Sequence, residues 1–202
     1  MAVAKYANAP VVLENTNWGA PERETLKNNS KTATFPYLET PHGVISEAYA
    51  ITKYLLNNFN STMMGDSAFE RAQINQWVEY SHQELSRHHR ALLYPIFGHG
   101  EFNKEASDKG LKELKEFLKM VEVQLKGKKY LMGSKCTVAD LELFNTIRWY
   151  FTLFFPEALR KNTMPNVTSW FVSLAAEPQM IASYGRHLLC NIPQKAGVAV
   201  KK

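Results

Sequence analysis

His82, His88, His89 and His99 crowd into one stretch of the chain, and His82, Ser86 and His89 nearly share a helix face. Imidazoles so placed could ligate a metal or relay a proton. No cysteine and no paired carboxylate stands at ligand spacing beside them, so no metal ligand is assigned. Partner contact or plain solvated surface is the expected role. Arg87 and Arg90 add positive charge to the same stretch, but no aromatic residues interleave with them as a base-stacking surface requires, so direct nucleic-acid binding is not expected. Cys136 and Cys190 lie far apart, in no metal-like spacing. Cys136 precedes a helix start and is expected to be buried there; nothing marks Cys190 as reactive. No residue is assigned a catalytic role.

The most specific local signal is structural. In Ser134-Lys-Cys-Thr-Val-Ala-Asp140, Thr137 stands at an N-cap and Asp140 three positions on, the spacing of a capping box. Asp140 also sets a negative charge against the positive end of the helix dipole. Its removal is expected to destabilise the fold by about 1 kcal/mol or more, with no loss of chemistry.

These residues need elements to hold them, and two regions differ in character. Up to about residue 60 the signals are short and mixed. Residues 10–14, Pro-Val-Val-Leu-Glu, predict a strand. A loop follows at 15–20, and 21–27, with Pro21 first and acids in its first turn, predicts a short helix. Residues 35–40 and 43–46 predict two strands of a hairpin turning at Pro41-His42-Gly43. Residues 47–56 predict an amphipathic helix. From Ser67 onward the helical period dominates. Ile74, Trp77, Val78, Ser81 and Leu85 form one stripe, and Leu111, Leu114, Phe117, Leu118, Val121 and Leu125 another. Leu141, Phe144, Ile147 and Phe151 form a third, and Val167, Trp170, Phe171 and Leu174 a fourth. The expected organisation is a small α/β part over 1–60, an all-α part over 67–192, and a basic tail or linker start over 193–202.

Composition bounds the rest. The 202 residues are 45% hydrophobic, which suits one ordinary domain or two small packed ones. No run is long and apolar enough for a membrane helix, and no secretory pattern opens the chain. Two cysteines fit a reducing compartment, so the expected location is cytoplasmic. The +5 formal charge is spread through alternating segments such as Lys-Glu-Leu-Lys-Glu-Phe-Leu-Lys at 112–119, the pattern of a solvated helix face. The run of aromatics at Trp149-Tyr-Phe-Thr-Leu-Phe-Phe155 exceeds what one helix face buries, and any exposed remainder would suggest an interface.

Residues 130–146, from Tyr130 through the capping box to Thr146, resemble the segment opening the central core helix of cytosolic glutathione transferases. Residues 35–51 look like the proline-containing hairpin strand and following helix of that superfamily. Within it, Arg148-Trp-Tyr-Phe-Thr-Leu-Phe-Phe-Pro156 and Met164-Pro-Asn-Val-Thr-Ser-Trp-Phe171 look most like the elongation factor 1-gamma branch. The resemblance covers nearly the whole chain. It implies a thioredoxin-like N-terminal part and an all-α C-terminal bundle. It also implies a cis peptide before Pro36.

The resemblance carries a functional expectation as well. Aligned on Pro36, residues 2–7 match only the end of the family's first helix. The thioredoxin-like part is then expected to be truncated, without the first strand, most of the first helix or the thiol-activating Tyr, Ser or Cys. That donor matters because glutathione reacts as thiolate, which a positioned hydrogen bond stabilises. The family commonly places Ser or Thr after the strand-turn Glu, whereas here Glu47 is followed by Ala48. What remains is a residual glutathione site: Phe35 and Pro36 for backbone contacts to the cysteinyl part, and Glu47 for an ammonium. No cofactor is expected, with glutathione at most a weak ligand. The function the resemblance implies is a non-catalytic scaffold that anchors the nucleotide-exchange subunit of the elongation factor 1 complex and associates with aminoacyl-tRNA synthetases. A homo- or hetero-oligomer is expected, because a truncated sheet leaves an edge and a helix face uncovered. The alternatives are an active glutathione transferase conjugating electrophiles, and a structural subunit recruited to another large complex.

Overall fold

A short antiparallel hairpin is the sheet of the first part of the molecule among the described residues. In the computed structural model, which describes residues 1–14 and 35–194, β1 (Tyr37–Thr40) pairs with β2 (Gly43–Ser46) in the register Tyr37↔Ser46 to Thr40↔Gly43. The turn is closed by Thr40, whose Oγ1 donates to the Gly43 carbonyl at 2.8 Å and accepts from the His42 N–H at 3.1 Å. Gly43 has φ +127°, a conformation that a side chain would strain. The ladder starts two residues later than expected: Pro36 has no N–H to offer it, and the Phe35–Pro36 peptide is cis, as the family resemblance implies.

The chain divides into two compact units, Met1–Met64 and Gly65–Lys202. In the first, α1 (Ala2–Tyr6) buries Ala2, Val3 and Ala4 and packs on α2 (Ala48–Phe59), which buries Thr52, Leu55 and Leu56. The Asn60 side-chain amide donates to the Tyr6 carbonyl at 3.2 Å and ties the two helices' ends. The strand expected at 10–14 does not form. Val12 and Leu13 are 85% and 57% exposed, and among the described residues the sheet contains only β1 and β2. β-branched residues favour a strand only where a neighbouring strand supplies the ladder and a face to pack on. The loop expected at 15–20, the helix at 21–27 and the tail beyond residue 194 lie outside the described residues.

The second unit is helical. Ser67 caps α3 (Ala68–Tyr80), its Oγ accepting from the Glu70 N–H at 3.1 Å, while the Glu70 carboxylate accepts from the Asp66 N–H at 2.8 Å. The first apolar stripe, Ile74 to Leu85, does not run on one uninterrupted α-helix. Instead α3 widens into a π-helical turn (Ser81–Leu85), tightens into a 3-10 turn (Ser86–His88) and resumes as the single-turn α4 (His89–Leu92). Ser81 turns its hydroxyl back to the Trp77 carbonyl at 2.8 Å, and both Ser81 and Leu85 remain fully buried. The wide turn thus keeps the stripe inward past a change in helical pitch.

Then come α5 (Lys104–Gln124), capped by the Asn103 side chain, and α6 (Val138–Leu153). They are followed by α7 (Glu157–Thr163), α8 (Pro165–Ala175) and α9 (Pro178–Tyr184). The core centres on Phe171, whose ring stacks on Phe144 and on Phe151 at 4.5 Å each. Glu122 of α5 reaches across to α8, accepting from the Asn166 N–H at 3.0 Å and the Val167 N–H at 2.9 Å. A carboxylate thereby meets the positive end of a helix that carries no capping side chain of its own. The α6 helix buries residues all round, Leu143, Thr146 and Tyr150 beyond its expected stripe, because elements pack on it from several sides. Most of the aromatic run is accordingly core; Trp149 is half-buried. None of the described helices is long and apolar enough to cross a membrane.

Candidate functional site

By register, Pro36 and Glu47 flank the last hairpin pair, Tyr37↔Ser46, and so share the open end of the hairpin. Pro36 is exposed and Phe35 half-buried, its ring 5.6 Å from that of Tyr37. Glu47 sits at φ 72°, ψ 119° as the N-cap of α2. A non-glycine residue with positive φ costs free energy, and such residues gather where a site demands a set geometry. Ala48 opens α2 with an exposed methyl group, so the helix N-terminus presents backbone N–H groups without a hydroxyl beside them. Phe35, Pro36 and Glu47, the residues expected for residual glutathione contacts, therefore occupy one edge of the first unit. The edge offers backbone groups and a helix terminus as candidate binding contacts.

Thr137 and Asp140 belong to the second unit and form a capping box at the start of α6. Asp140 does more than cap. Its carboxylate accepts from the Leu131 N–H at 2.8 Å, the Thr137 N–H at 3.0 Å, the Thr137 hydroxyl at 3.1 Å and the Trp170 indole N–H at 2.9 Å. The group is wholly buried. Burial pushes its pKa up, and these four donors pull against that rise. One side chain thus joins the 130–133 turn, the α6 start and α8. Periodicity exposed the cap on Oδ2 but could not show Trp170 and Leu131 both arriving at Oδ1, the other oxygen of the same carboxylate.

The histidines separate into individual contacts. His82 Nε2 meets the Glu142 carboxylate at 3.0 Å, and His89 Nε2 lies 3.2 Å from the Thr146 carbonyl, so both latch the kinked helix onto α6. His88 is buried beside Arg87 and Glu113. Among the described residues no group of three or more His, Cys, Asp or Glu gathers to hold a metal. Cys136 and Cys190 are free thiols, and burial pushes both pKa values up, away from the thiolate.

The His82–Glu142 pair has a measurable signature. Its hydrogen bond raises the His82 pKa above the ordinary value near 6.5. A raised folded-state pKa gives stability that is fully present below about pH 6.5 and is lost as pH climbs through the folded value. His82 is 35% exposed at its side chain, so the effect is below about 1 kcal/mol. The difference in melting temperature between the parent chain and Glu142→Gln is expected to shrink between about pH 6 and about pH 9. A difference independent of pH would deny the charged pair. His88, His89 and His187, whose pKa values are lowered by burial, act oppositely but cancel in this comparison.

Two family models match this chain, Glutathione S-transferase, N-terminal domain over residues 2–63 and Glutathione S-transferase, C-terminal domain over residues 85–178. The chain belongs to the glutathione-transferase superfamily. Its fold agrees with that of the GST-like domain of elongation factor 1-gamma from Saccharomyces cerevisiae, with a TM-score of 0.80 at 21% identity over 96% of this chain and 91% of that one. In sequence it is 29% identical over 180 residues to elongation factor 1-gamma of Artemia salina, covering 86% of this chain and 40% of the relative. It is 30% identical over 145 residues to that of Danio rerio, covering 72% of this chain and 32% of the relative. The chain thus spans less than half the length of these curated relatives. In this glutathione-transferase fold, the hairpin end with cis-Pro36 and Glu47 belongs to the thioredoxin-like part, and Asp140 to the helical core.

Sequence reasoning missed Arg160, which is 4% exposed. Its Nη1 donates to the Phe155 carbonyl and, at 2.6 Å, to the Cys190 carbonyl. The Cys190 and Gln194 N–H groups donate to the Phe151 and Leu153 carbonyls at 2.9 and 2.7 Å, so the segment after α9 satisfies the open end of α6. An arginine inside a seven-residue helix gave no signal of this. Only its burial reveals it.

Proposed function

We propose that this chain is a non-catalytic glutathione-transferase-like scaffold that works by protein–protein assembly in the translation elongation complex, in the cytoplasm. The similarity to elongation factor 1-gamma over most of the chain carries the reading. Ala48 supports it: at the start of α2 the hydroxyl that would help hold a γ-glutamyl group is replaced by a methyl. The partner under this reading is the nucleotide-exchange subunit, with aminoacyl-tRNA synthetases as further associates. Shape-complementary binding, with no bond made or broken, is the mechanism.

A second reading, an active glutathione transferase, is favoured by one observation. The hairpin end keeps the cis-proline and the positive-φ Glu47. Titration of glutathione by calorimetry, with a conjugation assay on a chromogenic electrophile using the same preparation, separates the two. No turnover is expected, with weak glutathione binding or none. Turnover would overturn the scaffold reading. Co-purification of the exchange subunit would then distinguish the elongation-complex scaffold from a structural subunit of some other assembly.

A further inference from the structure

Arg148 stands in the second unit on the outward side of the aromatic run. Arg160 sends its Nη1 to two carbonyls, whereas Arg148 makes no ion pair and donates no side-chain hydrogen bond among the described residues; the Nε of each is buried without an acceptor. Burial works against its charge and lowers its pKa, with no carboxylate to offset the cost. The guanidinium carbon lies 4.6 Å from the Trp149 ring centroid and 4.8 Å from that of Tyr184. Glu142, the acid that acts on the Tyr184 phenol, is engaged by His82.

A long basic side chain kept only for its stem would send its head into water. Here the head lies within cation–π distance of two rings, which restricts the guanidinium fork before any ligand arrives. The frame extends outward. The Phe97 ring meets Trp149 edge-on at 5.1 Å and is 37% exposed, on the loop between α4 and α5. Arg, Trp and Tyr around a partly desolvated position are the residues that dominate protein–protein contacts. A lone guanidinium bordered by rings suits a monoanionic carboxylate with an apolar neighbour; a phosphate group draws several cations.

We propose that Phe97, Arg148, Trp149 and Tyr184 form a docking surface for an acidic segment of a partner protein. Arg148 receives an Asp or Glu carboxylate, and the rings cover an adjacent apolar side chain. The inference rests on the scaffold reading and names the chemistry of its partner.

The probe is a fluorescein-labelled, end-blocked peptide of alternating Glu and Leu, followed by anisotropy, with its Gln-for-Glu counterpart as control. The Glu peptide is expected to bind and the Gln peptide to bind at least about ten-fold more weakly. Arg148→Gln and Phe97→Ala are each expected to weaken binding, the former by about ten-fold or more. Arg148→Lys keeps the charge and much of the packing but loses the planar fork, and is expected to fall between the parent and Arg148→Gln. Lys112→Gln, on the exposed face of α5, is expected to leave binding unchanged. Equal binding of the two peptides, unchanged affinity in both Arg148 variants, or an equal loss in Lys112→Gln would overturn the proposal; the last would reveal diffuse attraction to a basic chain. Conjugation is assayed on the same preparation. Turnover alongside Arg148-dependent peptide binding would remove the scaffold reading and leave the docking surface standing. Absent turnover with Arg148-independent binding would do the reverse.

Discussion

Replacing Asp140 with alanine is expected to cost the helical unit about 3–5 kcal/mol, far more than a lost cap. Capping alone is worth about 1 kcal/mol. The larger figure follows from what the substitution strands. The Leu131, Thr137 and Trp170 N–H groups all donate to this one carboxylate in a fully buried site. A buried donor left without an acceptor costs about 1–3 kcal/mol, and the removed carboxylate leaves a cavity as well. A small domain has about 5–15 kcal/mol in total, so the Asp140→Ala chain should lose a large share of its margin and unfold at a much lower urea concentration. Urea denaturation of the parent, Asp140→Ala and Thr137→Ala is the measurement. Thr137→Ala removes one hydroxyl and leaves the Thr137 N–H in place, so its loss should stay near about 1 kcal/mol. If both variants lost only that much, Asp140 would be a cap and nothing else. Asp140→Asn is informative in its own right. The amide NH2 would face N–H donors on one side of the network, so a loss of about 2–3 kcal/mol is expected despite conserved volume.

The second large effect is expected at Arg160. Arg160→Ala should destabilise by about 2–4 kcal/mol, since it empties a buried volume and strands the Phe155 and Cys190 carbonyls. Its signature should be local. Amide hydrogen exchange at Cys190 and Gln194 should accelerate more than exchange in the middle of α8, because those two amides lie on the segment that Arg160 fastens. Arg160→Met, which retains most of the volume, should show the same pattern with a smaller stability loss. Unchanged protection at both amides in either variant would mean that the segment holds itself in place. Together the two positions bracket α6: Asp140 fixes its start and Arg160 holds what closes its end.

Much of this architecture was legible in the residues. The stripe Val167, Trp170, Phe171 and Leu174 coincides with the buried residues of α8, and the hairpin fell where two strand-forming runs meet at Pro41-His42-Gly43. Such features depend on local periodicity and turn chemistry, which the chain carries at every step. The π-helical turn at Ser81–Leu85 did not show in the stripe, because one widened turn barely shifts which residues face inward. The strand expected at 10–14 failed for the opposite reason. Its composition is favourable, but a strand is a property of a pair.

The site divides along the same line. The resemblance led to the expectation of glutathione contacts at Phe35, Pro36 and Glu47 and of a cis peptide before Pro36, which the structure has, and Thr137 with Asp140 declared their cap by spacing. Their energetic weight came only from tertiary structure. Sequence separations of 30 residues, from Asp140 to Trp170 and again from Arg160 to Cys190, join groups that no local pattern relates. The uncompensated Arg148 is likewise invisible in the sequence, where acids abound, since being unpaired is a fact about distances. Local propensities are written in neighbouring residues, so the sequence could determine most helices and the caps, while the family came from the resemblance of whole segments. The worth of a buried charge depends on which donors and acceptors the fold brings to it, and that was settled only when the chain was packed.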